Sequence, residues 1–284
     1  MTAATLTVRQ ADRARTHAPL TRLLISELRF IYRRPRTLIA LGALALVPIA
    51  IGIGVAVAGD NVGGPDIIAS LFGNGLALPI AALTLSMVML LPLLGSMAAA
   101  DALSGESANG TLRGLLVAPV GRVRLLGMKA FGVGVFVLSA AFVIGIVGLI
   151  TGLILLGGNG MITMSGSTLS FGAGLGRVLL AVLWIAFQVF AVASVAMAIS
   201  ACTDHPLIVM AATLAGIIVF GVLSTIPQLD WLQPYLITTS WSSVTDFLRD
   251  PVPTSGLLTG LARAACYAGV GLSLAMVRLS TKDG

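Results

Sequence analysis

The feature that most constrains this chain is a series of long apolar runs without charged residues. A helix needs about 20 apolar residues to cross the hydrocarbon core of a bilayer. Each of six windows meets that length, so the sequence predicts six transmembrane helices. The predicted spans are residues 37–58, 76–99, 130–156, 178–201, 206–226 and 257–277.

Composition excludes a soluble globular protein. The chain has 284 residues, of which 57% are hydrophobic and 10% charged, and its mean hydropathy is +1.02. Soluble domains carry about 25% charged residues, so this chain has too little polar surface to cover its apolar runs. The sequence predicts an all-α integral membrane protein with one transmembrane domain, residues 1–284, in which residues 37–277 form the six-helix membrane part. Its two cysteines offer no disulfide framework.

The basic residues predict the orientation, because cytoplasmic loops retain Lys and Arg during insertion. Most of the 17 Lys and Arg residues precede the first span, lie between the second and third, or follow the sixth. With six spans, all three stretches fall on the same side. We therefore expect both termini in the cytoplasm and the protein in the cell membrane. The net charge of +6 then reflects topology, and we expect no nucleic-acid partner.

Two segments outside the spans are predicted to lie at the membrane surface. Residues 1–19 read as a flexible cytoplasmic tail, and residues 20–34 place leucines on one helix face and arginines on the other, as in an interfacial helix. The basic face suits either anionic lipid headgroups or a docking surface for a cytoplasmic partner. Residues 227–256 mix aromatic with polar side chains, which predicts one or two short interfacial or re-entrant helices.

One charged residue, Arg263, lies inside a predicted span. Ionisable residues within a membrane usually have a function, but a long side chain near a helix end can also extend to the interface. Both interpretations stay open. Asp246 and Asp250 are the candidate partners of Arg263.

Several catalytic and metal-binding motifs are missing or incomplete. The chain has no phosphate-binding loop, and its only lysines are Lys129 and Lys282, so we expect it neither to hydrolyse ATP nor to bind a cofactor. The nearest approach to a serine nucleophile elbow, residues 105–109, fails at its last position. Cys202 and His205 supply two ligands, too few for a metal site. The Ala-Val-Ala string at 56–58 follows a run too long for a signal peptide.

The loop between the second and third spans, residues 101–129, carries the most specific pattern. It reads DALSGESANGTLRGLLVAPVGRVRLLGMK, and helical spacing of its leucines predicts a short helix ending near Pro119. A solvated connector explains the basic residues but not an acidic residue beside the membrane. In order and spacing, nine residues of this loop resemble the pattern of the ABC-2 type permease family, with Arg113 where a polar residue is common. They are Glu106, Gly110, Thr111, Leu112, Leu115, Leu116, Pro119, Arg122 and Lys129.

The resemblance implies partners and site residues. It implies that the loop packs against a cytoplasmic ATP-binding cassette subunit, present in two copies, which holds ATP and Mg²⁺. It also implies a second permease chain, identical or different, with spans two and five facing a central cavity. The implied coupling residues are Glu106, Gly110, Thr111, Leu112, Arg113, Leu116, Arg29 and Arg33. The candidate substrate-pathway residues are Thr84, Ser86, Met87, Met89, Pro92, Met97, Met210, Thr213, Ser224 and Arg263.

The sequence therefore predicts the permease subunit of an exporter for an apolar or amphipathic substrate, such as a drug or lipid. An ion-gradient-driven transporter is the first alternative, but it would need acidic residues within spans, and the predicted spans contain none. A membrane assembly protein without transport activity is the second alternative. It leaves the Glu106 loop without a role.

Overall fold

The computed structural model describes residues 20–58, 74–105, 122–158 and 160–281. Eight α-helices lie in these ranges, with one two-stranded hairpin between the fifth and sixth. The helices are α1 (Leu20–Tyr32), α2 (Pro35–Ala58), α3 (Leu78–Met87), α4 (Leu90–Ala102), α5 (Arg122–Leu155), α6 (Phe171–Cys202), α7 (Pro206–Leu223) and α8 (Thr254–Thr281). The strands are β1 (Gly160–Ile162) and β2 (Thr168–Ser170).

The predicted membrane spans correspond to helices. Five helices, α2, α5, α6, α7 and α8, are long and apolar enough to cross a membrane, and α3 with α4 makes a sixth candidate. Three helices extend by four or more residues beyond their predicted spans, at ends that carry charges. Helix α5 starts at Arg122 instead of residue 130, α6 starts at Phe171 instead of residue 178, and α8 continues to Thr281 instead of residue 277. The length of the apolar run indicates only the part of a helix that lies in the hydrocarbon core, whereas the helix itself can continue into the aqueous layer.

The second span is broken, which the sequence analysis did not predict. Helices α3 and α4 meet at an angle of 59°. Proline has no backbone N–H, so Pro92 cannot donate to the carbonyl of Val88, four residues before it. Helical bonding resumes where the N–H of Leu93 donates to the carbonyl of Met89 at 3.0 Å. The predicted span 76–99 therefore corresponds to two helices with a break between them.

Helix α6 lies at the centre of the bundle and α7 at its edge. In the most apolar part of each helix, 67% of α6 residues are buried, against 11% for α7. Helix α6 packs against α4, α5 and α8. Its approach to α8 is close at Gly271, where an added Cβ atom would lie 2.6 Å from the backbone carbon of Ser194. A glycine is needed at this crossing because two helix backbones nearly touch.

The two ends of the bundle differ. We call the end at α1 the basic end and the end at the β-hairpin the hairpin end. At the hairpin end, β1 and β2 pair antiparallel, and the N–H of Met164 donates to the carbonyl of Leu248 at 2.8 Å. The adjoining 227–248 segment, predicted as short interfacial or re-entrant helices, forms three 3₁₀ helices (Pro227–Leu229, Gln233–Tyr235 and Ile237–Leu248).

The contact at Gly271 predicts opposite effects for two alanine substitutions in the same helix. Gly271→Ala should lower the free energy of unfolding by about 1 to 3 kcal/mol, because the new methyl group forces α6 and α8 apart. Gly269→Ala should be neutral or stabilising by up to about 1 kcal/mol, because its Cβ would meet nothing within 4 Å and alanine favours a helix. Thermal unfolding in detergent measures both. Equal effects would contradict the proposed close contact.

Candidate functional site

A buried ion pair joins α1 to α5 at the basic end. The Nζ atom of Lys129 lies 2.9 Å from Oε1 and 3.1 Å from Oε2 of Glu27. Both side chains are largely withdrawn from solvent, with exposed fractions of 4% for Lys129 and 14% for Glu27. The Lys129 Nζ also lies 5.8 Å from the centre of the Phe30 ring. A charge pair in such a place fixes two helices together, since either charge alone would be costly there.

A second ionic contact joins the start of α2 to the end of α4. An oxygen of Asp101 accepts from Arg36 at 2.7 Å and lies 3.6 Å from Arg34. The guanidinium of Arg34 stacks 3.8 Å above the Phe30 ring. Phe30 therefore lies between the two ionic contacts and connects them. We call the set Glu27, Phe30, Arg34, Arg36, Asp101 and Lys129 the ionic clamp.

The ionic clamp holds both ends of the loop that the sequence predicts as the coupling element. Asp101 is the first residue of that 101–129 loop and Lys129 is the last. Both are bonded to the N-terminal segment, so the distance between the two loop ends depends on residues 27–36. A cavity of about 30 Å³ lies between the clamp residues, which is room for about one water molecule.

The interior of the 101–129 loop lies outside the described residues. Six of the predicted coupling residues fall there, so the structure describes the loop ends but not these positions. They are Glu106, Gly110, Thr111, Leu112, Arg113 and Leu116. The description resumes at Arg122, which donates a hydrogen bond to the backbone carbonyl of Ser280 in α8.

The other two predicted coupling residues, Arg29 and Arg33, are exposed on α1. They line an open groove of about 530 Å³ together with Arg22, Arg34 and the apolar side chains of Ile25 and Phe30. Four arginines in one groove make this surface strongly basic. It lies on the same helix as Glu27 of the clamp.

The candidate pathway residues of the second span surround the break between α3 and α4. Ser86 and Met87 are buried, whereas Met89 is 48% exposed at the break itself. The hydroxyl of Thr84 donates to the carbonyl of Ile80 at 2.7 Å. Met97 lies further along α4 and lines the small cavity at the clamp.

The candidate pathway residues of the fifth span lie on or directly after α7, which packs against α4. Thr213 is buried and its hydroxyl donates to the carbonyl of Val209 at 2.8 Å. Met210 and Ser224 are half-buried, and the Ser224 hydroxyl donates to the carbonyl of Gly221 at 2.6 Å. The fold thus brings the second and fifth spans into contact within one chain.

Arg263 has other partners than the two aspartates considered from the sequence. Its Nη1 donates to the carbonyl of Leu236 at 2.9 Å and to the hydroxyl of Thr239. Asp250 instead pairs with Arg177 at 3.2 Å, and Asp246 lies 3.8 Å from Arg249. The assignment of Asp246 or Asp250 to Arg263 was therefore wrong. Both aspartates have nearer arginines at the hairpin end, Arg177 in α6 and Arg249 directly after the 227–248 segment.

Sequence reasoning missed the clamp partners of the loop ends, although one signal was present. Glu27 lies on the same helical face as Leu24, Leu28 and Ile31, because it comes three residues after Leu24 and four before Ile31. An acidic residue in an apolar stripe requires a buried cation. The cation could have been sought in Lys129, at the end of the loop.

The chain is similar to a known protein family. A family model described as ABC-2 family transporter protein matches residues 23–203, which is well over half of the chain. The chain belongs to the ABC-2 transporter family. The match includes the entire ionic clamp and the whole 101–129 loop. No curated protein matches the chain.

Membership makes this ABC-2 protein a multi-pass membrane permease subunit, and it implies an ATP-binding cassette subunit as partner. The matched region begins within α1 and ends directly after α6. Helices α7 and α8 lie beyond it.

Breaking the buried ion pair should destabilise the protein more than removing it. In Lys129→Met, Glu27 stays buried without its main cation, and we expect the free energy of unfolding to fall by about 3 to 5 kcal/mol. The double variant Glu27→Leu with Lys129→Met should recover most of that loss, because no uncompensated charge remains. Thermal unfolding of Lys129→Met, Glu27→Leu and the double variant tests this. A double variant as unstable as the sum of both single variants would contradict the pairing.

Proposed function

We propose that this chain is the permease subunit of an exporter in the cell membrane, which moves an apolar or amphipathic substrate out of the cytoplasm or the inner leaflet. A separate cytoplasmic subunit hydrolyses the ATP. The ionic clamp carries this proposal, because it fixes both ends of the 101–129 loop to one N-terminal segment, residues 27–36. A substrate of drug or lipid type suits the methionines and hydroxyls beside the second and fifth spans.

The clamp supports coupling through a physical argument. A partner that pushes on a free loop moves only the loop, whereas a loop with fixed ends transfers the push to the helices that bear those ends. Asp101 belongs to α4 and Lys129 to α5. Nucleotide-driven movement of the partner would thus reach α4 and α5 directly. The arginine groove on α1 offers the partner a second contact, next to the clamp.

The exposed surface of α7 supports a dimer of permeases. Ile208, Ala211, Ala215, Ile218 and Val222 are all exposed and recur every three or four residues along one face. Small residues within such a face allow a second helix to approach closely. Two copies joined through this face would bring their second and fifth spans around a shared central space. Each copy would then carry one ATP-binding subunit.

Partner docking gives the first test of this function. The chain purified from its native membrane in mild detergent should carry a stoichiometric ATP-binding subunit, identified by mass spectrometry. Glu106→Ala should weaken the coupling of its ATPase activity. Arg29→Ala with Arg33→Ala should reduce recovery of the subunit several-fold without changing thermal stability, because both side chains are exposed.

The matched control for docking is Arg249→Ala, an exposed arginine at the hairpin end, which should leave partner recovery unchanged. A chain that purifies alone, without ATPase activity, would contradict the exporter proposal. It would favour a gradient-driven carrier or an assembly protein.

Cysteine cross-linking gives the test of the dimer. In a background with Cys202→Ser and Cys266→Ser, the variant Ile218→Cys should form a disulfide-linked dimer in native membranes after mild oxidation. Ile146→Cys on α5 is the control, because it is equally exposed, at 53% against 52%, but lies on another helix. Cross-linking of both variants to the same extent would indicate random collision and contradict the α7 interface.

A further inference from the structure

An open polar cleft lies at the hairpin end, between the first half of α8 and the 227–248 segment. Its volume is about 510 Å³, and hydroxyl groups line it from both sides. Ser255 and Thr259 contribute from α8, and Thr239 and Ser243 from the facing segment. Ser255, Thr259 and Arg263 follow one another at intervals of four residues, so they lie on one face of α8.

Arg263 supplies the positive charge of this cleft. Two bonds to neutral acceptors, the carbonyl of Leu236 and the hydroxyl of Thr239, fix its position. Within the described ranges no carboxylate forms an ion pair with it. A guanidinium has five N–H donors, so these two bonds leave donors for a ligand. A cation inside a span is costly without a counter-charge, and an anionic ligand in the cleft would supply one.

Asp230 supplies a negative charge to the same cleft. Its carboxylate accepts a hydrogen bond from the side-chain amide of Gln233 at 2.9 Å. The cleft therefore offers one cation, one anion and several hydroxyls, rather than a surface of a single sign. Leu258, which directly precedes Thr259, is 62% exposed and lines a separate apolar groove between α6 and α8.

We propose that this cleft binds the headgroup of a zwitterionic phospholipid-like amphiphile. The phosphate contacts Arg263 and the hydroxyls of α8, and the ammonium faces Asp230. Guanidinium and hydroxyl groups together match a phosphate ester, because charge-assisted hydrogen bonds are the strongest that such a group forms. The acyl chains lie in the apolar groove that Leu258 lines.

This inference names a substrate class for the proposed exporter, and it rests on the proposed function only for the direction of transport. The cleft is at the opposite end of the bundle from the clamp. Binding is measured without the ATP-binding subunit. Failure of headgroup binding is thus distinct from failure of ATP coupling.

The test is a binding titration on the purified full-length chain in maltoside detergent. The probes are dihexanoyl phosphatidylcholine, dihexanoyl phosphatidylglycerol and inorganic phosphate, below the micellar concentration of each lipid. We expect tighter binding of the zwitterionic lipid than of the anionic one. Arg263→Gln should weaken both lipids about tenfold or more, the cost of losing a hydrogen bond to a charged group. Asp230→Asn should abolish the preference between them.

Two further variants keep the test decisive if Arg263→Gln does not fold. Thr259→Glu places a carboxylate one helical turn before Arg263, where it competes with the phosphate and should weaken binding similarly. Arg249→Gln removes a nearby arginine outside the cleft and should change nothing.

The probes also separate the two sources of phosphate. Binding of both lipids without inorganic phosphate supports a lipid headgroup, and competition by inorganic phosphate that depends on Arg263 supports a site for a soluble phosphate ester. Lipid binding that is unaffected by Arg263→Gln and Thr259→Glu, or equally weakened by Arg249→Gln, would overturn the proposal. Equal affinity for the two lipids would overturn the role of Asp230.

Discussion

The buried ion pair between Glu27 and Lys129 is the contact on which the basic end of the molecule depends. Burial removes most of the water that would solvate a charge, so a buried cation must meet an anion with good geometry. This requirement fixes α1 against α5, although α1 itself crosses no membrane. Phe30 then connects the pair to Arg34 and Asp101. The N-terminal segment 27–36 thereby contacts both loop ends.

The other ion pairs in the described part of the chain also place each charge next to an opposite charge. Ion pairs at the hairpin end, such as Arg177 with Asp250, join α6 to the loop that follows the 227–248 segment. Between the two ends the bundle is held by close packing of small residues, as at Gly271. Charges thus lie at the two ends of the bundle, and close apolar packing holds the helices together between them.

Sequence reasoning predicted the helices well because apolar length is a direct physical requirement of the bilayer. It did not predict the break before Pro92, since proline is tolerated in membrane helices and its sequence context looks the same in kinked and nearly straight spans. The pairing of Lys129 with Glu27 was missed because it joins residues 102 positions apart. Only the folded chain brings them together. The partner of Arg263 was predicted wrongly for a related reason: a backbone carbonyl has no signature in sequence.

Helix α8 extends between the basic end and the hairpin end of the molecule. Arg122, which follows the undescribed part of the 101–129 loop, is bonded to the carbonyl of Ser280 near the end of α8, and Arg263 lies in the first half of the same helix. At 1.5 Å per residue these positions are about 25 Å apart along one continuous helix. Between these two positions α8 packs closely against α6 at Gly271. In the proposed exporter, α8 therefore offers a direct connection between the loop end at Arg122 and the cleft at Arg263, beside the route through α4 and α5.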